Sequence, residues 1–181
     1  MVVKVARFFI AILMVLTTAL VSAAAENTDS FRLEDFFQGR TVAHGSLSAI
    51  NGINRQFDVK LSGQWDGTML KLVEDFVYYD GVEETKTWYF KKIDEGRYIG
   101  RRDDVEGLAN VRVFGNTAYY SYKLYLDAEN RKNLVRLVDR LTLKSDGTVE
   151  NRAAVFKFGV PVGGVKVNFA KASEISKLER P

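Results

Sequence analysis

One carboxylate sits where a carboxylate is costly. From Trp65 to Gly81 the chain reads W-D-G-T-M-L-K-L-V-E-D-F-V-Y-Y-D-G, with Asp-Gly at both ends. Leu70, Leu72, Glu74, Phe76 and Tyr78 share one face if the run is a strand, because strand side chains alternate. Glu74 is the only polar member of that face. Such a group is either paired or chemically employed. A two-residue loop at Asp80-Gly81 would set Glu74 opposite Thr87. A three-residue loop, Tyr79-Asp80-Gly81, sets it opposite Lys86 and sets Leu72 opposite Trp88. The second is preferred, since it gathers the apolar residues on one face and gives Glu74 a cationic neighbour.

Asp139 and Arg152 form the second candidate pair. Asp139 shares a face with Val135, Leu137, Leu141 and Leu143, and Arg152 shares one with Ala154, Phe156 and Phe158. A two-residue Asp146-Gly147 turn sets Asp139 opposite Ala154 and diagonal to Arg152, within salt-bridge reach. An interior arginine could also grip a carboxylate or phosphate group. His44 is the only histidine and cysteine is absent. Serine or cysteine triads and zinc sites therefore have little to build on, and His44 reads as a cavity-lining or structural residue. Asp103, Asp104 and Glu106 cluster without a calcium-loop pattern and read as a solvated loop. No catalytic set, metal site or cofactor is expected.

These groups need a scaffold, and the punctuation supplies one. Turn signals recur at Asn51-Gly52, Asp66-Gly67, Asp80-Gly81, Glu95-Gly96, Gly115-Asn116 and Asp146-Gly147, with long alternating runs between them. Proline occurs only at 161 and 181, so little interrupts a ladder. Long strands joined by tight turns make an up-and-down antiparallel meander, and a meander of about 8–10 strands closes into a barrel to remove its edges. A two-residue Gly115-Asn116 turn would place Val111, Ala109 and Gly107 opposite Tyr120, Tyr122 and Leu124, small against large. A short helix over residues 31–37, capped by Ser30, precedes the first strand.

Residues 1–25 read as a secretory signal peptide, with Lys4 and Arg7 before an apolar core and Ala23-Ala24-Ala25 as the cleavage pattern. Cleavage falls after Ala25, with Ala23 as second choice, and an uncleaved anchor is the alternative. Residues 26–181 then form a single domain, exported to the periplasm. Removing Lys4 and Arg7 from the 26 basic residues leaves 24 against 23 acidic ones, a net of +1. No basic stripe remains, so nucleic acid is not an expected partner. Without disulfides, stability rests on packing, for which 46% hydrophobic and 12% aromatic residues provide the material.

Several fragments, taken in order, resemble a known family. They are F-F-Q-G at 36–39, A-H-G at 43–45, G-Q-W-D-G at 63–67, E-D-F-V-Y-Y-D-G at 74–81 and Trp88. They continue with D-V-E-G-L-A at 104–109, G-N-T-A-Y-Y-S-Y-K-L at 115–124, N-R-A at 151–153 and K-F-G at 157–159. The set resembles the bacterial domain of unknown function 3833, whose members are mostly envelope lipoproteins. That resemblance implies a lipocalin-like (calycin-type) all-β barrel, brings no established activity, and hints at lipids through frequent gene neighbours for fatty-acid modification. The lipoprotein cysteine is missing here, the family's D-D-W stands as Val138-Asp139-Arg140, and Asn110 replaces a usual glycine. The leading expectation is a monomeric carrier of a small apolar or amphipathic, lipid-like ligand, with peripheral membrane contact at most. Trp88, Tyr120, Tyr122 and Phe156 would supply apolar wall, and Glu74 or Arg152 would hold the polar end, with Lys86 and Asp139 beside them. The alternatives are an envelope enzyme using Glu74 as acid or base, and a filled barrel acting as an interaction module.

Overall fold

A computed structural model describes residues 30–178, so the signal-peptide reading falls outside the described residues. Ten antiparallel strands follow one short helix. They are α1 (Leu33–Phe37), β1 (Gly39–Ala49), β2 (Asn54–Trp65), β3 (Met69–Tyr78), β4 (Glu83–Asp94) and β5 (Arg97–Arg101). Then come β6 (Val105–Phe114), β7 (Thr117–Asp127), β8 (Lys132–Leu143), β9 (Val149–Lys157) and β10 (Val160–Lys171), and a 3-10 helix, Ala172–Lys177, ends the described chain. Every strand pairs with its sequence neighbours, and β1 pairs with β10 to close the barrel. The all-β up-and-down barrel read from the punctuation is the observed architecture.

The turns set the register. At the β3–β4 hairpin Gly81 lies at φ +87°, the left-handed region that glycine enters without a Cβ penalty. The loop is the three-residue form, with the Tyr78 amide donating to the Val82 carbonyl at 2.9 Å and the Gly81 amide to the Tyr78 carbonyl at 2.9 Å. Glu74 therefore faces Lys86 and Leu72 faces Trp88, as preferred from the sequence. Gly147 does the same between β8 and β9, at φ +83°. There the two-residue turn is corrected. Leu143 pairs with Val149, so Asp139 faces Ala153 and Arg152 faces Arg140. One residue of slip carries Arg152 and Phe156 to the outer wall and brings Asn151 inside. Between β6 and β7 the tight turn holds and Val111 faces Tyr120. A bulge over Glu106–Asn110 then puts Val105, not Gly107, opposite Leu124.

The helix closes one end. Phe31, Leu33, Phe36 and Phe37 are buried, and Phe37 meets Phe169 edge-on at 5.7 Å. Arg32, not Ser30, occupies the N-cap position, and no side chain caps the helix. The plug is anchored instead by Glu34, which accepts from Tyr98 Oη at 2.6 Å and Lys92 Nζ at 2.9 Å. Burial pushes the Glu34 carboxyl up, but the Lys92 and Tyr98 donors more than offset it, and its pKa lies below the ordinary value. Tyr98→Phe leaves a buried carboxylate short of a donor and should cost about 1.5–3 kcal/mol in urea denaturation. A change under about 0.5 kcal/mol would show that this bond does not hold the plug.

Candidate functional site

The interior is hollow above the plug. A chamber of about 150 Å³ is walled by apolar residues such as Leu72, Trp88, Phe90, Leu141 and Phe169. A vestibule of about 470 Å³ lies among Leu47, Ile53, Leu124, Val135, Val155 and Val162. The two share Phe57, Phe76, Arg102, Leu137 and Val165 as walls, so they adjoin along the barrel interior. The vestibule includes the β1–β2 loop residues Ile50 and Asn51, at the end opposite α1.

Alternation brings the aromatic wall together. Trp88 stacks on Phe90 at 4.9 Å and meets Tyr122 edge-on at 5.4 Å, while Phe90 meets Tyr120 at 5.7 Å. Each ring is held by its neighbour, which keeps the chamber open with little side-chain freedom left to lose. Gly100 leaves room for this stack: a Cβ there would sit 2.7 Å from Phe90.

A belt of polar groups crosses the barrel at mid-height. Glu74 points inward from β3, but its ion pair is with Arg102, Nη1 to Oε2 at 3.5 Å, rather than with Lys86. Arg102 leaves the β5–β6 loop, lies 4.5 Å over the Trp88 ring, and donates to Asp104 at 2.6 and 3.1 Å. Lys86 sits at the upper edge, bridging Asp104 at 3.4 Å and Glu84 at 3.1 Å. Burial pushes Glu74 up to about 7, against the pull of Arg102 and Lys86. Burial holds Asp104 up less than Arg102 and Lys86 draw it down, and its pKa is lowered. Asp139 completes the belt from β8. Its Oδ1 accepts from Asn151 Nδ2 at 2.9 Å, and burial pushes it up to about 6, partly opposed by Asn151 and the Tyr122 hydroxyl. Burial also drives the Tyr120 and Tyr122 hydroxyls well above their ordinary pKa, so both stay protonated donors.

Of the residues marked from the sequence, Glu74, Trp88, Tyr120, Tyr122 and Asp139 meet in the chamber, and Lys86 borders the vestibule. Arg152 and Phe156 do not. Arg152 is an outer-wall residue whose carboxylate partner is Glu150 at 2.6 Å, not Asp139. His44 also faces outward, its Nδ1 against Asp58, because inward positions on β1 go to Thr41, Ala43 and Gly45. Arg102, Asp104 and Asn151 were missed. The first two lie in a loop segment that reads as solvated charge, and Asn151 needed the correct turn length. Among the described residues no group of three or more His, Cys, Asp or Glu is placed to hold a metal ion.

Solved structures share the architecture at low identity. The S-type phycobiliprotein lyase CPES from Guillardia theta aligns with a TM-score of 0.55 and 9% identity, covering 78% of this chain and 93% of that one. Rv2717c from M. tuberculosis aligns with a TM-score of 0.52 and 12% identity, covering 75% and 92%. These likenesses concern the fold. No curated protein matches the sequence. The family described as "Protein of unknown function (DUF3833)" matches residues 10–171, the span holding the plug, all ten strands and the polar belt, and the chain belongs to that family.

Proposed function

We propose that this barrel binds a small apolar or amphipathic ligand, lipid-like in shape, and carries it in the periplasm. The observation behind the proposal is the adjoining vestibule and chamber, walled by apolar and aromatic side chains with a few convergent polar groups where they meet. Apolar pockets of a few hundred Å³ with sparse polar contacts are the usual form of small-molecule sites. The leader read at residues 1–25 supports the address. Exposed Ile50, Leu126, Phe158 and Val160 lie around the β1–β2, β7–β8 and β9–β10 loops at the open end, which favours peripheral contact with a membrane during loading.

The test is titration with N-phenyl-1-naphthylamine, a neutral apolar fluorophore. Saturable enhancement should accompany quenching of Trp88, which is 5% exposed on the chamber wall. Absence of saturable binding would remove the carrier reading. The alternative rests on Glu74, whose raised carboxyl at a cavity wall also suits an acid–base catalyst for a lipid-like substrate. Glu74→Gln should leave the fluorophore's Kd within about threefold in a carrier, since a neutral apolar ring gains little from one carboxylate. In an enzyme the same change would leave binding and abolish turnover.

A further inference from the structure

The chamber carries two acceptors that the protein itself does not satisfy. Asp139 is 5% and Asn151 8% exposed. Asp139 Oδ2 and Asn151 Oδ1 each have no partner in hydrogen-bonding geometry, the Tyr122 hydroxyl lying near enough to lower the Asp139 pKa without closing a bond to Oδ2, and both residues line the chamber. A buried acceptor left without a donor costs about 1–3 kcal/mol, so a ligand that supplies donors recovers that loss on binding. The charge around them points the same way. Among the described residues Arg102 is the one cation lining the chamber, and its fork is already engaged by Asp104, with Glu74 as a second partner. Lys86 is likewise engaged by Glu84 and Asp104 at the vestibule. The inner lining thus contains two carboxyls, Glu74 and Asp139, against one committed guanidinium. Burial raises both carboxyls toward neutral, the response of acids taken out of water with too little compensating charge.

We propose that the chamber takes the end group of a single-chain amphiphile that donates hydrogen bonds and carries no negative charge, a hydroxyl or an ammonium, and that it rejects a carboxylate. The chain lies along the vestibule, and the donor end reaches Asp139 Oδ2 and Asn151 Oδ1. This rests on the carrier reading and names the chemistry of its ligand. A carboxylate end seated in the chamber would instead face Glu74 and Asp139, with Arg102 already engaged by Asp104 and Glu74 and Lys157 at the vestibule rather than in the chamber, which like-charge contact penalises.

Three twelve-carbon probes below their micelle concentrations test it, each displacing N-phenyl-1-naphthylamine at pH 7.5: dodecan-1-ol, dodecylamine and laurate. The alcohol and the amine should bind at least about tenfold tighter than laurate, the scale of one buried hydrogen bond gained against a repulsion added. In Asp139→Asn, which keeps the shape and removes the charge, the amine's advantage over laurate should shrink to about threefold or less. Asn151→Leu, which removes the second acceptor, should weaken the alcohol about tenfold. Laurate binding as tightly as dodecylamine to the unmodified protein overturns the proposal. So does an amine preference that survives Asp139→Asn intact. If the fluorophore itself fails to bind, the carrier reading falls instead, and the two failures are separable.

Discussion

Stability will fall by about 3–4 kcal/mol between pH 5 and pH 8, the reverse of the usual rise of a protein whose carboxylates are paired. Two groups cause it. Glu74 is raised from 4.5 to about 7 and Asp139 from 3.8 to about 6, burial being the main cause for each. A carboxyl whose pKa is higher folded than unfolded favours the folded state fully below the unfolded value, and loses that contribution as pH rises through the folded value. Each shift corresponds to about 3 kcal/mol at most, at 1.36 kcal/mol per unit. Asp139 has already given up part of its share by pH 5, and each carboxylate raises the other's cost, so the two do not add. The lowered carboxyls, the part-buried Glu34 and Asp104 among them, act below this window: their contribution is present above their ordinary values and goes as pH falls. The maximum should therefore lie near pH 5. Urea denaturation across the range measures it. Glu74→Gln should flatten most of the slope and be more stable than the unmodified protein at pH 8. A flat or rising profile would mean that the belt carboxyls are not held as the geometry places them.

That expectation depends on residues that were unequally legible in the sequence. Glu74 announced itself, because a charge on an otherwise apolar alternating face has few explanations, and the choice of loop at Gly81 followed from which register gathered Leu72, Phe76, Trp88 and Phe90. The barrel followed from the turn spacing, since ten strands of this kind have no other way to lose their edges. The partners of Glu74 were another matter. Arg102 enters from a loop, where no periodicity tells which way a side chain goes, and its neighbours Asp103 and Asp104 look like solvated charge. Asn151 and Arg152 exchanged faces on one residue of loop length at Asp146-Gly147. The same Asp-Gly signal, at 80-81 and at 146-147, closes three-residue loops in both hairpins, and the apolar faces argued for that register in only one of them. Period-2 patterns fix which residues travel together and leave the turn to fix which side they take.

The most damaging single substitution outside the chamber should be Gly63→Val. A Cβ at Gly63 would lie 1.9 Å from the Phe37 carbonyl oxygen and 2.7 Å from its carbon. Both are backbone atoms, so no rotamer change relieves the clash, and α1 must move as a body. It is held tightly on the other sides: the Phe31 amide donates to the Gly115 carbonyl at 2.9 Å, and Lys171 Nζ donates to the Gln38 carbonyl at 2.9 Å. Overpacking a fixed core commonly costs 1–3 kcal/mol, and fully exposing a Leu or Phe side chain costs about 1.5–3 kcal/mol more apiece. Displacing α1 exposes several at once, Leu33, Phe36 and Phe37 among them. The expected loss is at least about 3 kcal/mol, with new proteolytic cleavage within residues 31–38 where the native plug resists it. Ser62→Val, one position away on the outer face, should change stability by less than about 0.5 kcal/mol. Retained stability and protease resistance in Gly63→Val would show that the plug does not seat on β2. If the plug leaves while the barrel survives, the chamber opens at both ends, and N-phenyl-1-naphthylamine should dissociate faster. The glycine in G-Q-W-D-G then serves the ligand site without touching it, by letting a backbone carbonyl approach the barrel wall and close its floor.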